Sequence, residues 1–273
     1  MKAFTFRSPM FVASLQPKTA TALPVGNLLL WFDPTDSSQR VTAGDGSKHV
    51  VDKATAVADN AGVTQNTYAL LNGAAFATVG SVTAVTTDGV NDYVGDDSND
   101  SYTVDRPVVQ NLNGAFTWAV WVYPTNGSTY NDLMGQGNGG TSSGTGHYIS
   151  IMPTSTYNRT IQVVGPNGNW KRSSIGVTLN QWNLIVYTKT SDASIPRTEQ
   201  IYINNSSATF LSGTGDPDDP SDGSSQTLIG SINYNGAYTR GTKSFGEVFV
   251  YKEALSTADI NNLWSVTKSK YGL

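Results

Sequence analysis

Apolar and polar residues alternate along much of the chain with the two-residue period of strands half-buried in a sheet. The clearest case is residues 116–123, where Phe116, Trp118, Val120 and Val122 fall on one face and Trp121 and Tyr123 on the other. Both faces then need cover, which a sandwich of two packed sheets supplies. Residues 182–188 alternate cleanly, and residues 199–204 are expected to pair with them across a loop of Ser, Asp, Ala and Pro. Residues 147–152 and 160–164 read as a second strand pair, and residues 227–232 lead towards the last strand. Residues 26–33 (GNLLLWFD) form a continuous apolar run, the mark of a strand covered on both sides. Two strands are expected between Asn72 and Val94, the second ending at Tyr93-Val94.

The period changes once, near the end. In residues 245–264 (FGEVFVYKEALSTADINNLW), Phe245, Val248 and Val250 form one apolar set and Phe249 and Tyr251 another. Ser256 then precedes Asp259 by three positions, the spacing of a capping box. Ile260, Leu263, Trp264 and Thr267 follow at helical spacing, so a short helix begins just after Ser256 and lays one stripe on something apolar. Lys268 and Lys270 near its end complement the dipole, and Gly272 is a suitable stop.

Between these elements lie turn-rich stretches. Residues 34–72 read as loops and short strands, residues 95–100 (GDDSND) as a loop, and residues 165–169 as a turn. Residues 126–146 are glycine-rich and read as a long mobile loop of the kind that carries recognition. Residues 212–225 read as an acidic loop. Residues 1–25 form an arm whose apolar residues, Phe4, Phe6, Met10, Phe11, Val12 and Leu15, are interrupted by Pro9, Pro17 and Pro24. Such an arm either packs on its own domain or adds as a strand to another subunit. The remaining chain, residues 26–273, shows no repeat and no linker long enough to divide it.

The fold class is therefore all-β, a two-sheet antiparallel sandwich with one short C-terminal helix. The chain has no cysteine, which excludes disulfides, a thiolate nucleophile and Cys-based zinc. A formal charge of −4 argues against nucleic acid or an anionic membrane as partner. No stretch approaches the length of a membrane span, and the N-terminal apolar run is too short and proline-broken for a good export signal.

Four segments, in order, resemble laminin-G-like, concanavalin-A-like jelly rolls. Residues 88–94 (DGVNDYV) match the family's strand opening of the same sequence. Residues 116–122 (FTWAVWV) resemble its "FTISAWV" strand, and residues 180–186 with 201–205 resemble its "W-x-hVA…IYVNG" hairpin. Residues 246–256 with Asp259-Ile260 resemble its closing strand and "ALS..EI" turn. Residues 28–34 (LLLWFDP) are similar to the "LVLWLDP" strand of the phage- and bacterial-type members. The resemblance implies a jelly roll and leaves function open.

Glycoside hydrolases of that fold place Glu-x-Asp-x-(x)-Glu on one strand, so that alternation brings the carboxyls to one face. The only glutamates here are Glu199, Glu247 and Glu253, and none has that spacing. His49 and His147 have no recognisable Ser/Asp arrangement, and His147 reads as a half-exposed structural histidine. Residues 135–140 (GQGNGG) lack the Lys-Ser/Thr and the helix of a phosphate loop. Three oxygen-rich clusters suit calcium: Asp88, Asn91 and Asp92; Asp96, Asp97, Asn99 and Asp100; and Asp216, Asp218, Asp219 and Asp222. The alternative for each is a solvated acidic loop. Tyr130, Tyr157, Trp170, Tyr234 and Tyr238 fall in stretches read as loops, Trp170 beside Lys171 and Arg172. Such aromatics stack on sugar rings or fill protein interfaces.

These features point to a non-enzymatic virion protein of a bacteriophage, a capsid decoration protein or tail-fibre module assembled in the host cytoplasm. Its arm would hold it to other virion proteins, its loops would meet host-surface glycans, and it would be a homo-oligomer. No cofactor is required in this reading. The alternatives are a soluble calcium-assisted carbohydrate-binding module and a jelly-roll glycoside hydrolase.

Overall fold

The computed structural model describes residues 23–24, 27–42, 46–54, 67–95, 114–136, 138–139, 147–165, 168–190, 198–215, 227–234 and 237–273. Residues 1–22 and 25 of the expected arm and the acidic clusters at 96–100 and 216–222 lie outside these residues. In chain order the strands are β1 (Leu28–Phe32), β2 (Arg40–Thr42), β3 (Lys48–Val51), β4 (Thr67–Leu71), β5 (Ala75–Val79), β6 (Val82–Asp88) and β7 (Tyr93–Gly95). There follow β8 (Phe116–Pro124), β9 (Asn131–Gln136), β10 (Asn138–Gly139), β11 (His147–Ile151), helix α1 (Thr154–Tyr157), β12 (Thr160–Val164) and β13 (Trp170–Gly176). The chain continues with β14 (Asn183–Lys189), β15 (Glu199–Ile203), β16 (Ser206–Ala208), β17 (Phe210–Gly213) and β18 (Thr227–Ile229). It ends with β19 (Ser231–Tyr234), β20 (Ala237–Arg240), β21 (Thr242–Tyr251) and helix α2 (Thr257–Thr267).

Two antiparallel sheets face each other. Sheet A runs β16-β15-β14-β8-β21-β6-β5, with β1 also paired to β21, and sheet B runs β17-β13-β12-β11-β9-β18-β7-β4-β3-β2. A small third sheet joins β10, β19 and β20. The alternation of β8 decides the layering. Phe116, Trp118, Val120 and Val122 enter the core between the sheets, where Ile149, Ile161, Val163 and Val94 of sheet B meet them. Ala119 and Trp121 point to the opposite side, into a second core beneath α2. There Trp121 stacks on Tyr271 (centroids 4.1 Å apart) and on Trp264 (5.4 Å).

The irregular spacing of Phe245, Val248 and Val250 has a structural cause. Phe245 opposes Val122 but Val248 opposes Val120, so β21 carries one extra residue, a bulge at Gly246-Glu247. The bulge returns Val248 and Val250 to the inner core and leaves Phe249 and Tyr251 in the outer one. Gly246 is required there, because a side chain would collide with the phenol of Tyr271. Ser256 caps α2 as its spacing predicts: its hydroxyl accepts from the Asp259 N–H and its own N–H donates to the Asp259 carboxylate. Gly272, in the left-handed region at φ 76°, ends the following turn.

The structure corrects several expectations. Residues 126–146 are not one long loop; Asn131–Gln136 is the interior strand β9 between β11 and β18. Its Leu133 and Met134 are apolar anchors in the main core, and its glycine does not interrupt the ladder. Residues 72–94 form three strands rather than two, because a two-residue turn at Gly80-Ser81 folds β5 onto β6. Ser212 and Gly213 belong to β17 rather than to a loop. His147 is fully buried rather than half-exposed, stacked on Tyr187 and edge-on to Phe116 and Trp118.

Candidate functional site

Sheet B turns one face to the core and the other outward. Register identifies the outward row at one end of the sheet: Trp170 opposes Val164, Val164 opposes Tyr148, and Tyr148 opposes Gly135. One step along, Arg172 opposes Gln162 and Gln162 opposes Ser150. The residues between them, Ile149 and Val163, enter the core, as strand alternation requires. Lys171 lies between Trp170 and Arg172 and so turns inward; its ammonium is 3.1 Å from Glu199 of sheet A and sits over the Phe210 ring.

Trp170 and Arg172 therefore share the outward face of β13, and α1 adds a third member. Asn158 and Arg159 both adopt positive φ (49° and 60°), which ends α1 after a single turn. Gly176 allows this turn to approach closely, since a side chain there would strike the Asn158 carbonyl. Tyr157 is thereby folded over β13. The Arg172 guanidinium carbon lies 4.0 Å from the centre of the Tyr157 ring and 4.7 Å from that of Trp170. Each such cation–π contact contributes about 0.5–1 kcal/mol at a partly exposed site, which ties the three side chains into one platform on this face. Beyond α1 lies an open depression of about 430 Å³ lined by Thr125, Asn126, Gly127, Ser128, Thr154, Ser155 and Leu179.

Of the five candidate aromatics, the structure brings together Tyr157 and Trp170. Neither lies in a loop: Tyr157 ends α1 and Trp170 opens β13. Tyr234 and Tyr238 lie on the β19–β20 hairpin, also in strands, where Asn233 opposes Tyr238. Tyr130 is in a loop, half-exposed before β9. The partner that sequence reasoning underrated is Arg172. Its signal was present, because a residue two places from Trp170 on a strand shares its face.

The acidic candidates fare differently. Asp88 Oδ1 accepts the N–H groups of Val90 (2.7 Å) and Asn91 (3.3 Å), and Asp92 Oδ2 accepts that of Asp88 (2.9 Å). These bonds, first that of Val90, hold the Asp88 carboxyl below its usual pKa, and they assign the cluster to turn formation. Among the described residues no group of three or more His, Asp or Glu is arranged to hold a metal. Asp216, Asp218, Asp219 and Asp222 lie outside the described residues.

One pair of carboxylates unsuspected from sequence, Asp33 and Glu247, meets beneath the C-terminal segment. Lys270 reaches both, at 3.4 and 2.9 Å, and Lys53 joins Asp33 to Asp36 at 3.0 and 3.1 Å. Glu247 also receives Trp31 Nε1 at 3.2 Å and the Tyr271 hydroxyl at 3.3 Å. Burial, reinforced by the Asp33 charge, pushes the Glu247 carboxyl up. Burial also pushes Asp33 up, but the Thr35 hydroxyl, Lys270 and Lys53 together outweigh it and hold Asp33 below its usual value. A raised and a lowered carboxyl side by side is the pattern of an acid–base pair. Here both are about 1 % exposed and paired with lysines, which ties the end of β1 and the bulge of β21 to the C-terminal segment. Glu199 is held by Lys171, so neither it nor Glu247 reaches the outward face of sheet B.

Comparisons agree with this architecture. The family model described as the concanavalin A-like lectin/glucanases superfamily matches residues 96–261. No curated protein matches the chain. Among solved structures, the receptor-binding domain of botulinum neurotoxin C/D mosaic serotype is 14 % identical at a TM-score of 0.55, over 87 % of this chain and 51 % of that one. The botulinum neurotoxin type G receptor-binding domain is 12 % identical at a TM-score of 0.53, over 89 % of this chain and 52 % of that one. A sialidase of Trypanosoma rangeli, solved with 2,3-difluorosialic acid, is 16 % identical at a TM-score of 0.54, over 94 % of this chain and 36 % of that one. The chain thus spans about half the length of the toxin domains and about a third of the sialidase, and at these identities the likeness is one of fold. Two packed antiparallel sheets, a capped closing helix and a family model covering most of the sequence lead to one assignment: this chain belongs to the concanavalin A-like lectin/glucanases superfamily, with a laminin-G-type jelly roll.

Proposed function

We propose that this chain is a non-enzymatic recognition protein on the surface of a bacteriophage particle, as capsid decoration or a tail-fibre module. Residues 1–25 hold it to other virion proteins, and residues 26–273 present the outward face of sheet B to host-surface glycans. The observation that carries the glycan reading is the platform of Tyr157, Arg172 and Trp170. Ring faces meet the C–H face of a pyranose, and a guanidinium between them donates to its oxygens. The virion reading is supported by the phage-like "LWFDP" and "DGVNDYV" segments and the absence of cysteine. The non-enzymatic reading is supported by Glu199 and Glu247, both committed to lysines away from the platform. The jelly-roll relatives supply a parallel: the toxin domains are named as receptor-binding and the sialidase was solved with a sialic acid analogue.

A glycan array tests this with wild type and Trp170→Ala, each with and without chelator. The expected result is a defined set of bound glycans, lost in the variant and indifferent to chelator. Silence of the wild type would refute glycan recognition, and loss on chelation would favour a calcium-assisted module.

A further inference from the structure

Among the described residues, five strands form the lateral edges of the two sheets: β16, β5 and β1 in sheet A, β17 and β2 in sheet B. Free edges invite pairing, and proteins blunt them with short strands, charges or bulges. Four of the five are blunted. β16 has three residues, β2 has three and carries Arg40, and β17 is broken by a bulge against β13. β1 is broken by a bulge against β21, and Asp52 and Lys53 take up the N–H and carbonyl of its Trp31. β5 is not: Ala75–Val79 (AFATV) has five residues, no charge, no proline and an unbroken register against β6.

The hairpin geometry shows which groups of β5 are open. Val79 and Val82 close a two-residue turn, and in such a hairpin the closing pair and every second pair beyond it exchange backbone bonds. Val79, Ala77 and Ala75 therefore bond inward to β6. The N–H and C=O groups of Phe76 and Thr78 face away from the sheet. Arg40 lies over the Phe76 ring, its guanidinium carbon 5.7 Å from the ring centre.

We propose that β5 is the acceptor for the leader of a second copy of this chain, with residues 3–6 (AFTF) added as a further strand of sheet A. The proposal rests on the docking-arm reading above and names the arm's partner. Twenty-two residues precede Leu23, which packs in the outer core of sheet A together with Val79, the last residue of β5. Residues 3–6 are uncharged and place Phe4 and Phe6 at strand period between Lys2 and Arg7, and Pro9 stops them, so their length suits the five-residue edge. The sixteen residues from Arg7 to Ala22 reach up to about 55 Å when extended. That exceeds the roughly 48 Å width of a domain this size and is enough to cross to a neighbour.

The test is the solution mass of the full chain by sedimentation and light scattering. The full chain is expected to be an oligomer. It should fall to monomer on removal of residues 1–22, in Phe4→Asp/Phe6→Asp, and in Thr78→Pro, which removes one outward N–H without touching the β5–β6 bonds. Ser207→Pro on the β16 edge should stay oligomeric. Near-UV circular dichroism verifies that each variant is folded, and the leader variants carry the test if Thr78→Pro is not. A monomeric full chain, or an oligomer that survives in folded Thr78→Pro, overturns the proposal. A chain that is monomeric alone yet needs its leader to enter particles overturns the second-copy acceptor and leaves the docking arm standing.

Discussion

Two tyrosines of the outer core should respond oppositely to the same substitution. The Tyr271 oxygen accepts the Glu247 N–H at 2.7 Å and donates to Glu247 Oε2 at 3.3 Å, and both residues are buried. Tyr271→Phe keeps the ring on Trp121 but leaves the bulge N–H without its acceptor and the carboxylate one donor short. A buried polar group that loses its partner costs about 1–3 kcal/mol, so a net loss of about 2 kcal/mol is expected. At roughly 2–4 °C per kcal/mol for a large domain, Tm should fall by about 4–8 °C. The Tyr251 hydroxyl is also buried but has no hydrogen-bond partner among the described residues. Tyr251→Phe removes only an unsatisfied group and should be neutral or stabilising by up to about 1 kcal/mol. Urea unfolding at neutral pH, with m unchanged, measures both. Equal losses in the two variants, or a Tyr271→Phe protein within about 0.5 kcal/mol of wild type, would refute the assignment of the Glu247–Tyr271 bonds.

Other outcomes follow from the same contacts. Ser256→Ala removes half of the capping box of α2 and should cost about 1 kcal/mol in urea unfolding, recovered in Ser256→Asp. Lys270→Met leaves Glu247 buried without its nearest cation. Because Lys270 is over a third exposed, the loss at neutral pH should be only about 1–2 kcal/mol. It should shrink as pH falls through the raised pKa of Glu247 and the acid becomes neutral. Asp33 has the opposite sign: its lowered pKa contributes stability that is present above the unfolded value of 3.8 and lost as pH falls through the folded one. Asp33→Asn should therefore be less stable than wild type at neutral pH and converge with it in acid, as thermal melts across that range would show.

What the sequence made legible, and what it hid, divides along a physical line. Local periodicity identified β8 with its two faces, the β14–β15 pairing and the capped helix, because each depends on neighbours a few residues apart. The odd spacing of Phe245, Val248 and Val250 already contained the bulge, unread as such. β9 was missed because glycine and asparagine dominate its surroundings, while its strand character comes from β11 and β18 on either side. Trp170 was placed in a loop because a turn precedes it, yet its register against Val164 makes it the first residue of a strand. His147 looked half-exposed because its burial depends on Phe116, Trp118 and Tyr187, distant in sequence. Asp33 and Glu247 stand 214 positions apart, and no spacing rule connects them. The platform was half-visible: Trp170 and Arg172 share a face by strand spacing, while the placing of Tyr157 over them depends on the α1 turn.

The central claim is that the outward face of sheet B near β13 binds sugar without cleaving it. Its most direct test is a nuclear magnetic resonance titration of the wild-type chain with the best glycan from the array, following protein and sugar signals in one sample. The account predicts shifts concentrated on Tyr157, Trp170 and Arg172, including the Trp170 indole N–H, with the glycan unchanged over days. Shifts centred elsewhere in the fold, or the appearance of shorter sugar fragments, would contradict it.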